Sequence, residues 1–167
     1  SGIATSAMCN DLANVVIGMH GTDTQQQEFL APFMAEPLMA SFCLTEPNAG
    51  SDNSAMTTHI RKGKSGKYYL NGIKCFITNA SFASQFTVFC KVGKTSSPFM
   101  ACVIVPALAA KPETVEARSL TCREIPLPYG GRIVIGKPEV KLGQRLSNTA
   151  SVSFEDVVIE EDQIIGD

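Results

Sequence analysis

The sequence predicts a mainly β fold, a barrel-like or sandwich-like domain that follows two helices. Apolar residues recur at helical spacing only in the first 38 residues, and from Met39 onward they alternate with polar residues. The alternating runs are short and are separated by Gly, Pro and Asn, a pattern typical of all-β domains. With 167 residues, 44% of them hydrophobic and 18% charged, the chain can bury a core of its own.

Two helices are predicted in residues 1–38. The first carries an apolar stripe whose members recur mostly at spacings of three to five: Ile3, Met8, Leu12, Val15, Val16 and Met19. The second begins at Thr22, because a Thr three residues before Gln25 can form a capping box, and Pro32 limits its length. The first helix is already under way at its third residue without a cap, so we expect the natural chain to begin upstream.

The β domain is predicted to span residues 39–159. Outside the region around Asn71, strands are predicted over 39–45, 56–61, 86–92, 100–105, 133–135 and 152–159. Asn71-Gly72 lies between two β-prone runs and predicts a hairpin with a type I′ turn, since both central residues of that turn need positive φ. A second hairpin is predicted around Pro128-Tyr129-Gly130-Gly131, and residues 160–167 are predicted to be a linker.

Composition and motifs argue against several classes of function. The net charge of −2 gives no indication of nucleic acid as a partner, and no apolar run approaches the ~18 residues of a membrane span. No metal site is predicted, because the six cysteines are scattered; we expect buried, reduced thiols in an intracellular compartment. Neither a G-x-G-x-x-G motif nor a P-loop is present. The adjacent Glu155 and Asp156 are expected on opposite faces of a strand, which disfavours a two-carboxylate hydrolase.

The charges are unevenly distributed along the chain. Residues 1–60 contain six acidic side chains and no Lys or Arg, whereas the remainder holds fourteen basic against ten acidic side chains. The later excess of positive charge fits an anionic ligand such as one that bears phosphates, and it equally fits an ordinary solvated surface.

The most distinctive segment is 42–52, with the sequence Phe-Cys-Leu-Thr-Glu-Pro-Asn-Ala-Gly-Ser-Asp. A strand ends at Thr45, Pro47 fixes one backbone angle, and Gly50 allows a ligand to approach the backbone closely. Ser51 and neighbouring N–H groups can bind an anion. Taken alone, the segment is equally compatible with a surface turn.

A second distinctive segment is Phe76-Ile77-Thr78-Asn79, at the end of another predicted strand. The Thr78 hydroxyl could form a hydrogen bond with the edge of a heteroaromatic ring while Phe76 packs on its face. Taken alone, this segment is equally compatible with a strand that ends in a cap.

The two segments in this order resemble the signature of the acyl-CoA dehydrogenase family, and residues 21–32 and 142–157 also resemble its sequences. The resemblance implies that residues 1–38 are the C-terminal part of the family's N-terminal helical domain. Residues 39–159 would be the middle β domain of the acyl-CoA dehydrogenase type, which binds FAD. Residues 160–167 would lead toward a C-terminal helical domain.

The resemblance also implies a set of FAD-binding residues: Phe42, Leu44, Thr45, Gly50, Ser51, Phe76, Ile77 and Thr78. Thr45 would bind the pyrimidine side of the flavin ring, and Thr78 would reach toward N5, the atom that accepts hydride. Gly50 and Ser51 would lie near the pyrophosphate, with Ser51 also near the acyl-CoA substrate. Phe76 stands where the family commonly has Trp, a residue this chain lacks.

The implied parent enzyme oxidises acyl-CoA to 2,3-enoyl-CoA in fatty acid β-oxidation and passes electrons from FAD to an electron-transfer flavoprotein. It would be a homotetramer, in the mitochondrial matrix if eukaryotic and in the cytoplasm if bacterial. The family's catalytic Glu belongs to the C-terminal domain, and Glu155, Glu160 and Glu161 do not match it. No catalytic residue is therefore assigned, and the chain alone is expected to be inactive. The alternatives are an acyl-CoA oxidase or a non-catalytic module that binds flavin or acyl-CoA.

Overall fold

The structure is a computed structural model that describes residues 1–107 and 122–166. Its described residues contain three α-helices, α1 (Gly2–His20), α2 (Asp23–Phe29) and α3 (Ala31–Ala35). The predicted capping box of α2 is confirmed: the Thr22 hydroxyl accepts from the Gln25 N–H at 3.2 Å, and the Gln25 side chain accepts from the Thr22 N–H at 2.9 Å. The single second helix predicted from the sequence is split at Leu30, because Pro32 lacks an N–H and occupies the first turn of α3.

The described residues contain nine strands in one sheet. They are β1 (Ala40–Cys43), β2 (His59–Lys62), β3 (Tyr68–Thr78), β4 (Gln85–Val92), β5 (Met100–Pro106), β6 (Arg123–Pro126), β7 (Arg132–Ile135), β8 (Thr149–Ile159) and β9 (Ile164–Ile165). Their order is β6-β7-β8-β3-β2-β4-β5-β9, and β1 pairs with β4. The mainly β prediction is confirmed, but the sheet is not closed into a barrel, since β6 and β9 end the path without pairing to each other in the described ranges.

The hairpin predicted at Asn71-Gly72 is wrong, because both residues lie inside β3. The chain reverses instead between β2 and β3, where the Gly63 N–H donates to the Lys67 carbonyl at 2.8 Å. Gly72 has a φ of +152° and lies where the pairing of β3 with β8 shifts register. A Cβ at this position would come within 2.3 Å of the Thr58 hydroxyl and 2.6 Å of the Thr58 Cα. Glycine is needed here for close approach of another segment.

We expect Gly72→Ala to lower the free energy of unfolding by about 1–3 kcal/mol, because the added methyl group meets the Thr58 backbone as well as its side chain. The measurement is urea unfolding monitored by circular dichroism. Gly143→Ala is the matched control, since a Cβ at Gly143 has no neighbour within 4 Å. Its effect should stay within about 0.5 kcal/mol. Equal losses in the two variants would contradict the close-approach explanation.

The second predicted hairpin is confirmed. It joins β6 to β7, and the Leu127 N–H donates to the Gly131 carbonyl at 3.0 Å. Strand β6 was absent from the sequence prediction. Residues 108–121, which precede it in the sequence, lie outside the described residues.

The main core is formed by side chains of strands β1 to β8. It contains the edge-to-face pair Phe86 and Phe154, with ring centroids 6.1 Å apart. A smaller cluster joins Ile17 of α1 and Phe29 of α2 to Ile104 of β5. Residues 160–166, in the stretch predicted as a linker, form a 3₁₀ turn and β9, which pairs with β5. The Gln25 side chain donates to the carbonyls of Asp162 and Ile164 at 2.8 Å. The helices and this stretch therefore pack on the sheet.

The buried thiols predicted from the sequence are found at three of the six cysteines, all six of which are free: Cys43, Cys90 and Cys102. Burial raises the pKa of both Cys90 and Cys102 to about 12, so these thiols stay protonated at neutral pH. Cys122 is exposed. No helix in residues 1–107 or 122–166 combines the length and apolar character that crossing a membrane requires.

Candidate functional site

The two distinctive segments, far apart in the sequence, lie side by side in the structure. The Ser41 hydroxyl donates to the Thr78 carbonyl at 2.8 Å, and the Cys75 N–H donates to the Thr45 carbonyl at 2.9 Å. The chain leaving β1 thus runs antiparallel to the end of β3. Thr45 and Thr78 lie at opposite ends of this contact, because Thr45 is beside Cys75, three residues before Thr78 along β3.

The end of β3 is irregular, and this turns an aromatic side chain outward. Its pairing with β8 shifts register between Lys74 and Ile77, and Phe76 has a φ of +57°, which is uncommon for a residue other than glycine. Phe76 is 68% exposed, whereas the Ile77 side chain is 2% exposed and packs in the main core. Ile77 can therefore meet a surface ligand only through its backbone, and Phe76 can offer a ring face.

The remaining site residues of the first segment lie around a tight turn. Phe42, Leu44 and Thr45 are half-buried, and the Phe42 ring packs on Phe89 with centroids 5.0 Å apart. The turn itself is closed by two backbone hydrogen bonds between Glu46 and Ala49, of 2.9 and 3.2 Å.

Gly50 and Ser51 follow this turn and are exposed. A Cβ at Gly50 would have no neighbour within 4 Å, so a ligand can reach the backbone from that side. Asp52 then ends the segment by accepting from the Ser54 N–H at 2.9 Å and the Ser54 hydroxyl at 2.6 Å. These bonds hold the pKa of Asp52 below its ordinary value.

A buried ion pair under the turn was not anticipated from the sequence. The Lys74 ammonium lies 2.8 Å from a Glu46 carboxylate oxygen, and the two side chains are 0% and 2% exposed. Lys74 also donates to the Leu44 carbonyl at 2.9 Å. The available signal was the alternation of β3, which places Lys74 on the same inward face as Leu70. A lysine on such a face needs a partner, and the partner is a residue of the other segment.

The Glu46 carboxylate has further donors. It accepts from the Thr57 N–H at 2.7 Å, the Thr57 hydroxyl at 2.8 Å and the Thr58 N–H at 3.0 Å. Burial by itself would raise the pKa of Glu46, but the hydrogen bonds from Lys74, Thr58 and Thr57 outweigh it and lower the pKa to about 2. Burial lowers the pKa of Lys74, and its bond to Glu46 offsets this only in part. The carboxylate is thus held firmly in its ionised form.

Two other carboxylates, later in the chain, form ion pairs away from the two segments. Glu155 accepts from Arg132 at 2.7 Å, and Glu160 accepts from Lys67 at 2.6 Å, both in exposed ion pairs. In the part of the chain that the structure describes, no group of three or more His, Cys, Asp or Glu side chains could hold a metal ion.

Fold and site together define an open β domain with a surface site of strand-end hydroxyls and an exposed aromatic ring. A sequence model of the acyl-CoA dehydrogenase middle domain matches residues 41–157. The chain therefore belongs to the acyl-CoA dehydrogenase family.

Individual relatives agree with this assignment. The chain is 32% identical over 166 residues to a probable medium-chain specific acyl-CoA dehydrogenase 2, mitochondrial, of Caenorhabditis briggsae, which covers 99% of the chain and 36% of that protein. The structure of butyryl-CoA dehydrogenase from Megasphaera elsdenii matches with a TM-score of 0.79 and 29% identity, over 99% of this chain and 38% of that one.

A Bacillus anthracis acyl-CoA dehydrogenase, solved in complex with FAD, shares the fold with a TM-score of 0.74 at 24% identity, over 99% of this chain and 25% of that one. The chain thus spans little more than a third of the length of the Caenorhabditis briggsae relative and a quarter of the Bacillus anthracis chain.

Proposed function

We propose that this chain is the flavin-binding part of an enzyme that oxidises acyl-CoA to 2,3-enoyl-CoA, with FAD as the cofactor and an electron-transfer flavoprotein as the electron acceptor. The observation that carries the proposal is that the segments of Thr45 and Thr78 lie side by side, with both threonines half-buried and the Phe76 ring exposed. Hydroxyls at both ends and an aromatic face match the edges and the face of a flat heteroaromatic ring. When bound, FAD supplies a ring that accepts hydride.

Particular residues would hold the cofactor. The flavin ring would contact Phe42, Leu44 and Phe76 through their side chains and Ile77 through its backbone, between the hydroxyls of Thr45 and Thr78. The open space at Gly50 suits a pyrophosphate, and exposed Ser51 suits the acyl-CoA as well.

The parent protein would contain more than this chain. Residues 1–38 would belong to a helical domain, 39–159 to the middle domain and 160–167 to a connection toward a further helical domain. The parent would assemble as a homotetramer, in mitochondria if eukaryotic and in the cytoplasm if bacterial. A catalytic Glu outside this chain would remove the substrate α-proton, so we expect the 167-residue chain to show no turnover.

The flavin site can be tested by titrating FAD into the isotope-labelled chain and following its amide resonances. We expect weak binding, in the millimolar range, with shifts confined to residues 42–51 and 76–78. Thr45→Val together with Thr78→Val should weaken binding about thirtyfold, because each of the two lost hydrogen bonds costs about 1 kcal/mol.

Thr24→Val, an isosteric change at an exposed position of α2, is the control and should leave the titration unchanged. Shifts elsewhere in the domain, or equal affinity in the double variant, would overturn the proposed site. Turnover by the unaltered chain with acyl-CoA and FAD would overturn the placement of the catalytic base.

A further inference from the structure

We infer that Glu46 and Lys74 are positioning residues. They hold the turn at residues 46–49 in the shape that binds the ligand. This inference rests on the proposed function. Of the ion pairs in the described part of the chain, three are exposed, and Glu46–Lys74 alone is buried at both ends. A buried ion pair adds little net stability relative to apolar side chains of the same volume. Its location beneath the turn indicates a role in fixing geometry.

Thr45 is held on both sides by one lysine. The Lys74 ammonium donates to the Leu44 carbonyl at 2.9 Å and to the Glu46 carboxylate at 2.8 Å, so it bonds to the residues before and after Thr45. The Thr45 carbonyl itself accepts from the Cys75 N–H at 2.9 Å. The three consecutive residues 44–46, at the entrance of the turn, are therefore bonded to two consecutive residues of β3, and the Thr45 backbone has little freedom left.

The same carboxylate closes the loop that carries the proposed anion site. Glu46 stands at the start of residues 46–57, and its side chain accepts from both the N–H and the hydroxyl of Thr57 at the end of that loop. Gly50 and Ser51 lie between these ends. The Glu46 carboxylate thus fixes the proposed flavin contact at Thr45 through Lys74. It fixes the proposed anion contacts at Gly50 and Ser51 through Thr57.

Apolar side chains could fill the same volume, but they could not accept the hydrogen bonds of this cluster. The N–H groups of Thr57 and Thr58 would lose their acceptor, and the Leu44 carbonyl would lose its Lys74 donor. This polarity requirement explains why an ion pair stands at this buried position.

The test is the double variant Glu46→Gln/Lys74→Met, which removes both charges together and leaves no unpaired buried charge. We expect the Cys75 amide to exchange with solvent hydrogen at least about tenfold faster. This amide donates to the Thr45 carbonyl, so its protection factor, which corrects for the change in the preceding side chain, reports on the position of the turn. The Leu127 amide, bonded to the Gly131 carbonyl in the hairpin that joins β6 to β7, should change less than twofold.

The matched control is Glu160→Gln/Lys67→Met, the same two substitutions in an exposed ion pair. It should leave the Cys75 amide unchanged. An unchanged Cys75 amide in the buried double variant, or equal acceleration at Leu127, would overturn the positioning role. Should that variant not fold, Thr57→Val removes one donor to the same carboxylate from an exposed residue, and an unaltered Cys75 rate there would overturn the role equally.

FAD titration of the same variants separates this inference from the proposed function. We expect the buried double variant to bind FAD at least about tenfold more weakly than the Glu160→Gln/Lys67→Met control. Faster exchange at Cys75 with unchanged FAD affinity would overturn the positioning role. An absence of FAD shifts in the unaltered chain would count against the proposed function alone, and the Cys75 exchange would still decide whether the pair holds the turn.

Discussion

Replacement of Phe154 by alanine is expected to lower the free energy of unfolding by about 3–5 kcal/mol. Phe154 lies in the middle of β8, opposite Gly72 of β3 on one side and Ile133 of β7 on the other. Its ring is 1% exposed and meets the Phe86 ring edge-to-face. The substitution therefore loses the burial of a large apolar side chain and leaves a cavity that neighbouring strands cannot close. The measurement is the midpoint of urea unfolding, followed by far-ultraviolet circular dichroism.

Phe76→Ala is the matched control, because it makes the same change at a side chain that is 68% exposed. Its effect on unfolding should stay within about 0.5 kcal/mol. The two variants thus separate the core from the proposed ligand surface, since Phe76→Ala should weaken FAD binding without lowering stability. Equal losses of stability would contradict the burial that the structure assigns to Phe154.

Local signals predicted the elements that depend on neighbours in the sequence. The capping box of α2 needs only Thr22 and Gln25, three residues apart, and it is found as predicted. The alternation that predicts strands is seen in the burial of the first half of β8, whereas β4 is buried on both faces. The split at Leu30 was missed because Pro32 is compatible both with the end of one helix and with the start of another.

Signals whose meaning depends on tertiary contacts were less informative. Asn71-Gly72 looks the same whether glycine serves a turn or makes room for another segment, and only the approach of Thr58 decides between them. Strand β9 is two residues long and exists because β5 offers an edge. Short pairings of this kind leave no periodicity in the sequence.

In the candidate site too, features set by sequence neighbours were predicted and features set by tertiary contacts were missed. Its residues were found through two short segments, but the contact between those segments depends on β1 lying beside the end of β3, about thirty residues later. The Glu46–Lys74 pair was missed because its partners are 28 residues apart, and each looks like a solvated side chain when considered alone. Burial and pairing of charges are properties of the folded chain.

Acid is expected to weaken the fold through Glu46. Its pKa is about 2 in the folded chain, against an ordinary value of 4.5, because Lys74, Thr57 and Thr58 donate to the ionised form. A carboxyl group with a depressed folded pKa stabilises the fold fully above its unfolded pKa, and this contribution is lost as the pH falls toward the folded pKa. The difference corresponds to about 3 kcal/mol, lost progressively between about pH 5 and pH 2.

The measurement is urea unfolding from pH 7 to pH 3 for the unaltered chain and for Glu46→Gln, which cannot ionise at this position. The stability difference between the two proteins should be largest near neutral pH and should shrink as the pH falls below 5, because the unfolded chain then takes up a proton at Glu46 that the folded chain does not. Glu36→Gln, the same change at an exposed glutamate, is the control and should alter the stability little. A difference for Glu46→Gln that stays constant down to pH 3 would show that Lys74 and the two threonines do not hold the carboxylate in its ionised form.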